Sequence, residues 1–133
     1  MKKIYLASFL EKENFGTSRV ISITSGSKPR DIEVESIFTQ LTPPKALVAK
    51  YNLERLNDAI SASNMFIDAY KKQLEDFFEE VEQMSKETGK PVAELLPLED
   101  GDTLASWERA NFTNYRKILA PYLEKIGYEV ILN

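Results

Sequence analysis

Residues 103–132 read TLASWERANFTNYRKILAPYLEKIGYEVIL. An apolar run, Thr103-Leu104-Ala105-Ser106-Trp107, precedes a stretch in which Phe112, Tyr115, Ile118, Leu119, Tyr122 and Leu123 recur at spacings of three and four; Gly127 and a second apolar run, Tyr128 to Leu132, follow. The first pattern is that of a strand covered on both sides, and the second that of one face of a helix. The stretch therefore predicts a strand, a helix over 111–126 that Gly127 stops, and a strand. A helix between two strands carries the chain back across the sheet, so the strands lie parallel. Pro121 lacks an N–H and predicts a kink in that helix.

Upstream, Lys3 to Phe9, with Ile4, Tyr5, Leu6 and Phe9, reads as another strand of the same kind, and Arg19 to Thr24, carrying Val20, Ile21 and Ile23, as a third. The polar loop Glu11 to Ser18 separates them. Ser25-Gly26-Ser27-Lys28-Pro29-Arg30 follows as a basic turn segment. Ser36 to Leu41 predicts a short extended segment, and Thr42 a cap for a helix from Pro44 to Leu56. Asn57 or Asp58 caps a longer helix with Phe66, Tyr70, Leu74, Phe77, Val81 and Met84 on one face, ended by Gly89 and Pro91. Val92 to Leu98 has room for one helical turn. Strands alternating with helices predict an α/β fold, a three-layer α/β/α sandwich around a central, mostly parallel sheet.

The 133 residues suit one core and are too few for two, so residues 1–133 are predicted to form a single domain. A hydrophobic share of 43% against 29% charged is enough to build that core. The formal charge of −4 is concentrated in Glu75, Asp76, Glu79, Glu80, Glu82 and Glu87. That surface repels phosphate backbones and predicts no nucleic-acid partner, although its plainer meaning is a solvated helix face. Cysteine and histidine are both absent. Disulfides, thiolate chemistry, Ser-His triads and zinc sites with nitrogen or sulfur ligands are thereby excluded. The start, Met1 to Leu10, is basic then apolar, but Glu11 and Glu13 interrupt it too soon for a secretory leader, and no stretch approaches a membrane span. A cytoplasmic protein without membrane contact is expected. No Gly-x-Gly-x-x-Gly and no Walker loop occurs, so no cofactor is expected. Asp31, Glu33 and Glu35 alternate, and Asp100-Gly101-Asp102 resembles half of an oxygen-ligand loop, but neither has the spacing of a calcium site; no metal is predicted.

The run Leu104 to Arg109, then Asn114-Tyr115-Arg116 opening a Leu119-Ala120-x-x-Leu123 helix, then Gly127 and a last strand, resembles domain-of-unknown-function family 488. Ile4 to Phe9, Val20 to Ile23 with the Pro29 loop, and Leu41-Thr42-Pro43 extend the likeness to nearly the whole chain. The resemblance implies an α/β/α sandwich. Where the family has Cys-His-Arg, this chain has Asn114, Tyr115 and Arg116, and Glu108 matches the family's glutamate. Loss of the Cys and His favours binding over turnover.

In parallel sheets ligands sit outside the carboxyl ends of the strands. The segments after Phe9, from Thr24 to Arg30, and from Glu108 to Arg116 arrive there. Lys28, Arg30, Arg109 and Arg116 are cations, and a helix start around Asn111 to Asn114 offers unpaired N–H groups, a combination that suits a phosphate or carboxylate. Ser8, Thr24, Ser25 and Ser27 supply hydroxyls, although loop hydroxyls commonly serve only to cap turns. Trp107 and Tyr115 offer faces on which a base stacks, although such aromatics more often belong to the core. Glu108 is the one candidate general acid or base, unless it merely pairs with an arginine. Three functions fit: a domain binding a nucleotide-like or phosphorylated small molecule, anchored by Arg116; a protein-interaction module, such as an inhibitor or adaptor, working through the acidic helix, as a homodimer or with another protein; and a hydrolase or N-glycosidase acting on a nucleotide through Glu108.

Overall fold

The computed structural model describes residues 1–26, 28–107 and 114–132. Five strands, β1 (Lys3–Ser8), β2 (Val20–Ser22), β3 (Ser36–Ile37), β4 (Thr103–Ser106) and β5 (Glu129–Leu132), form one sheet in the order β3-β2-β4-β1-β5. Every pairing is parallel. Four helices accompany them: α1 (Lys45–Glu54), α2 (Ala59–Thr88), α3 (Val92–Leu95) and α4 (Tyr115–Lys125). Single 3-10 turns occupy Lys12–Asn14 and Thr39–Leu41.

The strand order divides the connections into two groups. Those from β1 to β2 and from β2 to β3 run toward the β3 edge, whereas those from β3 to β4 and from β4 to β5 run toward the β5 edge. Right-handed crossovers of opposite sense use opposite faces of a sheet. The packing follows that rule. Ile4, Leu6, Ile21, Ile23 and Leu104 meet Phe66, Tyr70, Leu74, Leu119 and Leu123 in one large core on the helical side. The alternate face carries a small cluster of Phe9, Ile32 and Ala105, with Phe15, Val20 and Val34 against it, supplied by the 3-10 turn region and the loop before β3. The α/β/α sandwich thus has a thick helical layer and a thin one.

Helix α2 begins where Asp58 Oδ1 accepts from the N–H groups of Ile60 and Ser61, both at 3.1 Å, and ends where Gly89 adopts φ 74° and donates to Ser85. Its buried stripe is Ala62, Phe66, Tyr70, Leu74, Phe78 and Val81. The sequence pattern placed Phe77 and Met84 there. Repeated steps of four turn the stripe gradually around the helix, which puts Phe78 in the core, leaves Phe77 half-buried against Phe38, and carries Met84 out to solvent. Tyr70 is fully buried and its hydroxyl donates to the Leu41 carbonyl at 2.5 Å. Its ring lies edge-on to Tyr115 at 5.5 Å and against Phe66 at 6.2 Å, joining α2 to α4.

Several boundaries differ from the sequence reading; strand β2, for one, is Val20–Ser22 where Arg19 to Thr24 was expected. Thr42 does not cap α1; its hydroxyl donates to the Phe38 carbonyl at 2.7 Å, and Pro44 takes the cap position. This is the usual competition in which a threonine hydroxyl closes its own local turn. The extended segment after Ser36 is only two residues long and tightens into a 3-10 turn. Helix α4 starts at Tyr115 with Asn114 as its cap; the start expected at Asn111 lies outside the described residues.

Candidate functional site at the ends of β1 and β4

Strands β1 and β4 are neighbours, yet the chain leaves them toward opposite edges of the sheet. Their carboxyl ends therefore mark the topological switch point, the place at which open parallel sheets bind ligands. The register pairs Ser8 with Ser106 at this point. Beyond them the Phe9 N–H donates to the Ser106 carbonyl at 2.9 Å, so the ladder continues into the first residue after β1. Ser106 is fully buried and Ser8 nearly so. The Ser8 hydroxyl accepts from the Leu10 N–H at 3.1 Å, which turns the chain out of the strand.

Side chains alternate along a strand, so consecutive residues serve opposite faces of this rim. Ser8 and Ser106 continue the helical face of Leu6 and Leu104, and α4 arrives on that face. Its cap, Asn114, accepts from the Arg116 N–H at 3.1 Å through Oδ1. Arg116, in the first turn, is only 7% exposed. On the other face Phe9 is buried with Ala105, and Trp107 lies against it with ring centroids 6.1 Å apart. Phe15 braces Phe9 edge-on at 6.5 Å.

The residues named from sequence are distributed along this rim. Ser8 and Trp107 lie at the switch point, and Asn114 and Arg116 open the helix that follows β4. Thr24 and Ser25 lie at the end of neighbouring β2, half-buried; the Ser22 hydroxyl accepts from the Thr24 N–H and donates to the Thr24 carbonyl, both at 3.2 Å, fixing that turn. Tyr115 sits at the rim but points inward. Its ring is 2% exposed among Phe66 and Tyr70, and its hydroxyl donates to the Ile23 carbonyl at 2.8 Å. It is a core residue and no stacking face. Lys28 and Arg30 belong to the segment that descends onto the thin layer through Ile32. The Lys28 ammonium donates to the Ile32 carbonyl at 2.6 Å, while Arg30 is exposed. Ser27, Glu108 and Arg109 lie outside the described residues.

Two residues that were not candidates from sequence, Phe9 and Ser106, stand at the switch point. Both stand at the ends of apolar runs, next to residues already singled out, and that position was the available signal.

The acidic positions weighed as cation ligands do other work. Asp102 accepts from the Arg19 side chain at 2.6 and 3.2 Å, and from the backbone N–H groups of Glu99 and Arg19. Burial alone pushes its carboxyl up, but the bonds from Arg19 and Glu99 outweigh that and hold it below the ordinary 3.8. Asp100 accepts from the Lys3 N–H at 2.6 Å, and Asp31 pairs with Lys12 across the thin layer. On α2, Asp76, Glu79, Glu80, Gln83, Met84 and Glu87 line a shallow groove that has no wall other than this helix. Among the described residues no helix is long and apolar enough to cross a membrane.

The chain matches no family model, no curated protein and no solved structure.

Proposed function

We propose that the chain is a binding domain for a small phosphorylated or nucleotide-like anion, held in the crevice between the ends of β1 and β4 with Arg116 as its principal anchor. One observation supports the reading: a nearly buried arginine stands in the first turn of the helix that follows β4, one of the two strands at the switch point. The planar guanidinium matches the oxygens of a phosphate or carboxylate, and the helix start adds its dipole. The serine pair and Asn114 supply neutral polar groups beside it. On this reading the chain is a divergent relative of family 488 that binds rather than turns over, since Asn114 and Tyr115 stand where that family has Cys and His.

The test is a thermal-shift screen with nucleotides and sugar phosphates. At a hundred times its dissociation constant a ligand of the native state adds about 2.7 kcal/mol, on the order of 10 °C for a chain of this size. Arg116→Lys, which keeps the charge but loses the planar fork, should cut the shift sharply. A panel that leaves the melting temperature unmoved removes the proposal. Hydrolysis of a panel compound that is lost in Glu108→Gln would instead make the protein an enzyme.

The acidic groove on α2 supports a second reading, a module that docks a basic protein surface. Reversing Glu79 and Glu80 to lysine should then abolish capture of that partner and leave any ligand-induced thermal shift intact.

A further inference from the structure

We propose that the ligand of the β1/β4 crevice carries a nucleobase stacked on the exposed face of Trp107, so that the site takes a nucleoside phosphate in preference to a sugar phosphate. The proposal rests on the binding reading above and specifies its ligand.

Trp107 is the residue after Ser106, so its indole serves the thin-layer side of the rim while Ser106 and α4 lie on the helical side. It is 38% exposed, yet it is not loose. Phe9, 2% exposed, lies against one part of the indole at 6.1 Å with a 45° tilt, and Phe15 meets Phe9 edge-on at 75°. Two rings thus fix the orientation of a third whose remaining surface faces water. An indole is among the largest apolar surfaces a protein can bury, and leaving this residue more than a third exposed at the strand ends forgoes part of that stabilisation. Leu10, the residue after Phe9, is exposed as well, at 68%.

A sugar phosphate offers this indole nothing flat. A nucleoside phosphate has a π-face at one end and an anion at the other, which matches an indole on one side of the strand ends and a guanidinium on the other. Stacking uses the face that every base possesses, so little preference among bases is expected.

The chain has one tryptophan, and its intrinsic fluorescence therefore reports Trp107 alone. Adenosine 5′-monophosphate and ribose 5-phosphate are titrated into the wild-type protein, with fluorescence and thermal shift read in parallel. The expected result is that the nucleotide binds more tightly and quenches the emission, while the sugar phosphate binds weakly without quenching. Trp107→Ala should weaken nucleotide binding about 5- to 150-fold, Trp107→Phe should restore much of it, and sugar-phosphate binding should be unchanged in both. Equal affinities without quenching, or full nucleotide affinity in Trp107→Ala, would overturn the stacked base while leaving the anion site standing. Absence of a thermal shift with either compound removes both proposals.

Discussion

The two rims of the sheet are built on different principles. At the amino ends of the strands, side chains brace segments far apart in the chain: Arg19 to Asp102, Lys2 to the Leu98 carbonyl at 2.9 Å, and Thr103 to the Gly16 N–H at 2.7 Å. Gly16 packs so closely that a Cβ there would stand 2.3 Å from the Gly101 carbonyl oxygen and 2.4 Å from the Tyr5 ring. At the carboxyl ends most of the side-chain bonds described above join residues two apart, Ser8 to Leu10, Ser22 to Thr24 and Asn114 to Arg116. These finish turns and caps and do not cross the rim. Longer ties are made by Tyr115, whose hydroxyl joins α4 to the end of β2, and by Lys12, which pairs with Asp31 across the thin layer. The amino rim centres on a fully buried carboxylate, whereas at the carboxyl rim short bonds that shape turns and caps stand beside these longer ties.

The largest effect on stability is therefore expected at the amino rim. Arg19→Ala leaves the fully buried Asp102 carboxylate with backbone donors alone, and should cost about 3–5 kcal/mol in urea unfolding. Ligand-induced thermal shifts at the other rim should survive. Loss of binding with unchanged stability would reverse the roles assigned to the two ends.

The pH dependence sharpens this prediction. In the wild type the Asp102 carboxyl is depressed below its ordinary value, so its contribution is fully present above about pH 4–5 and is lost as pH falls through the folded value. Without the Arg19 side chain only the backbone donors oppose the burial that pushes the group up. Protonation then costs the variant less than it costs the wild type. The stability gap between the two should be widest near neutral pH and should narrow on acidification. A gap independent of pH would mean that Arg19 acts through packing instead of charge.

How much of this could be read in the sequence depended on the range of the signal. The strand-helix-strand of 103–132 and the long helix α2 were legible because apolar spacing is a local property, and Asp58 and Gly89 mark the ends of α2 by chemistry that spans three or four residues. Phe77 and Phe78 could not be separated locally. The choice is made by Tyr122, which stacks on Phe78 at 5.8 Å, and by Phe38, which meets Phe77 at 6.0 Å. Strand order is a long-range fact, so the β1/β4 switch point was invisible, and with it the pairing of Ser8 with Ser106 and of Phe9 with Trp107. Tyr115 shows the same limit from the other direction. Its place in the helical stripe marked it as core, its place beside Arg116 marked it as a ligand contact, and only the tertiary contacts decided for the core.

Tyr115→Phe isolates the bond that ties α4 to the end of β2. The ring stays in the core, but the buried Ile23 carbonyl loses its donor, which should cost about 1–3 kcal/mol. Nucleotide affinity should change little, because the hydroxyl points away from the crevice. A variant with native stability and lost binding would restore Tyr115 to the site.

The smallest effect on stability is expected from Trp107→Ala. Its indole is more than a third exposed and leans mainly on Phe9, so truncation should cost about 1 kcal/mol or less in urea unfolding, well below the loss in Arg19→Ala. The two variants then form a crossed pair: one unfolds easily and still binds, and the other folds well and binds poorly. A tryptophan that served only to close the thin layer would behave like Arg19, losing several kcal/mol on truncation with no selective loss of nucleotide over sugar phosphate. In that event Phe9, Phe15 and Trp107 are a satellite core, and the carboxyl rim holds the fold together just as the amino rim does.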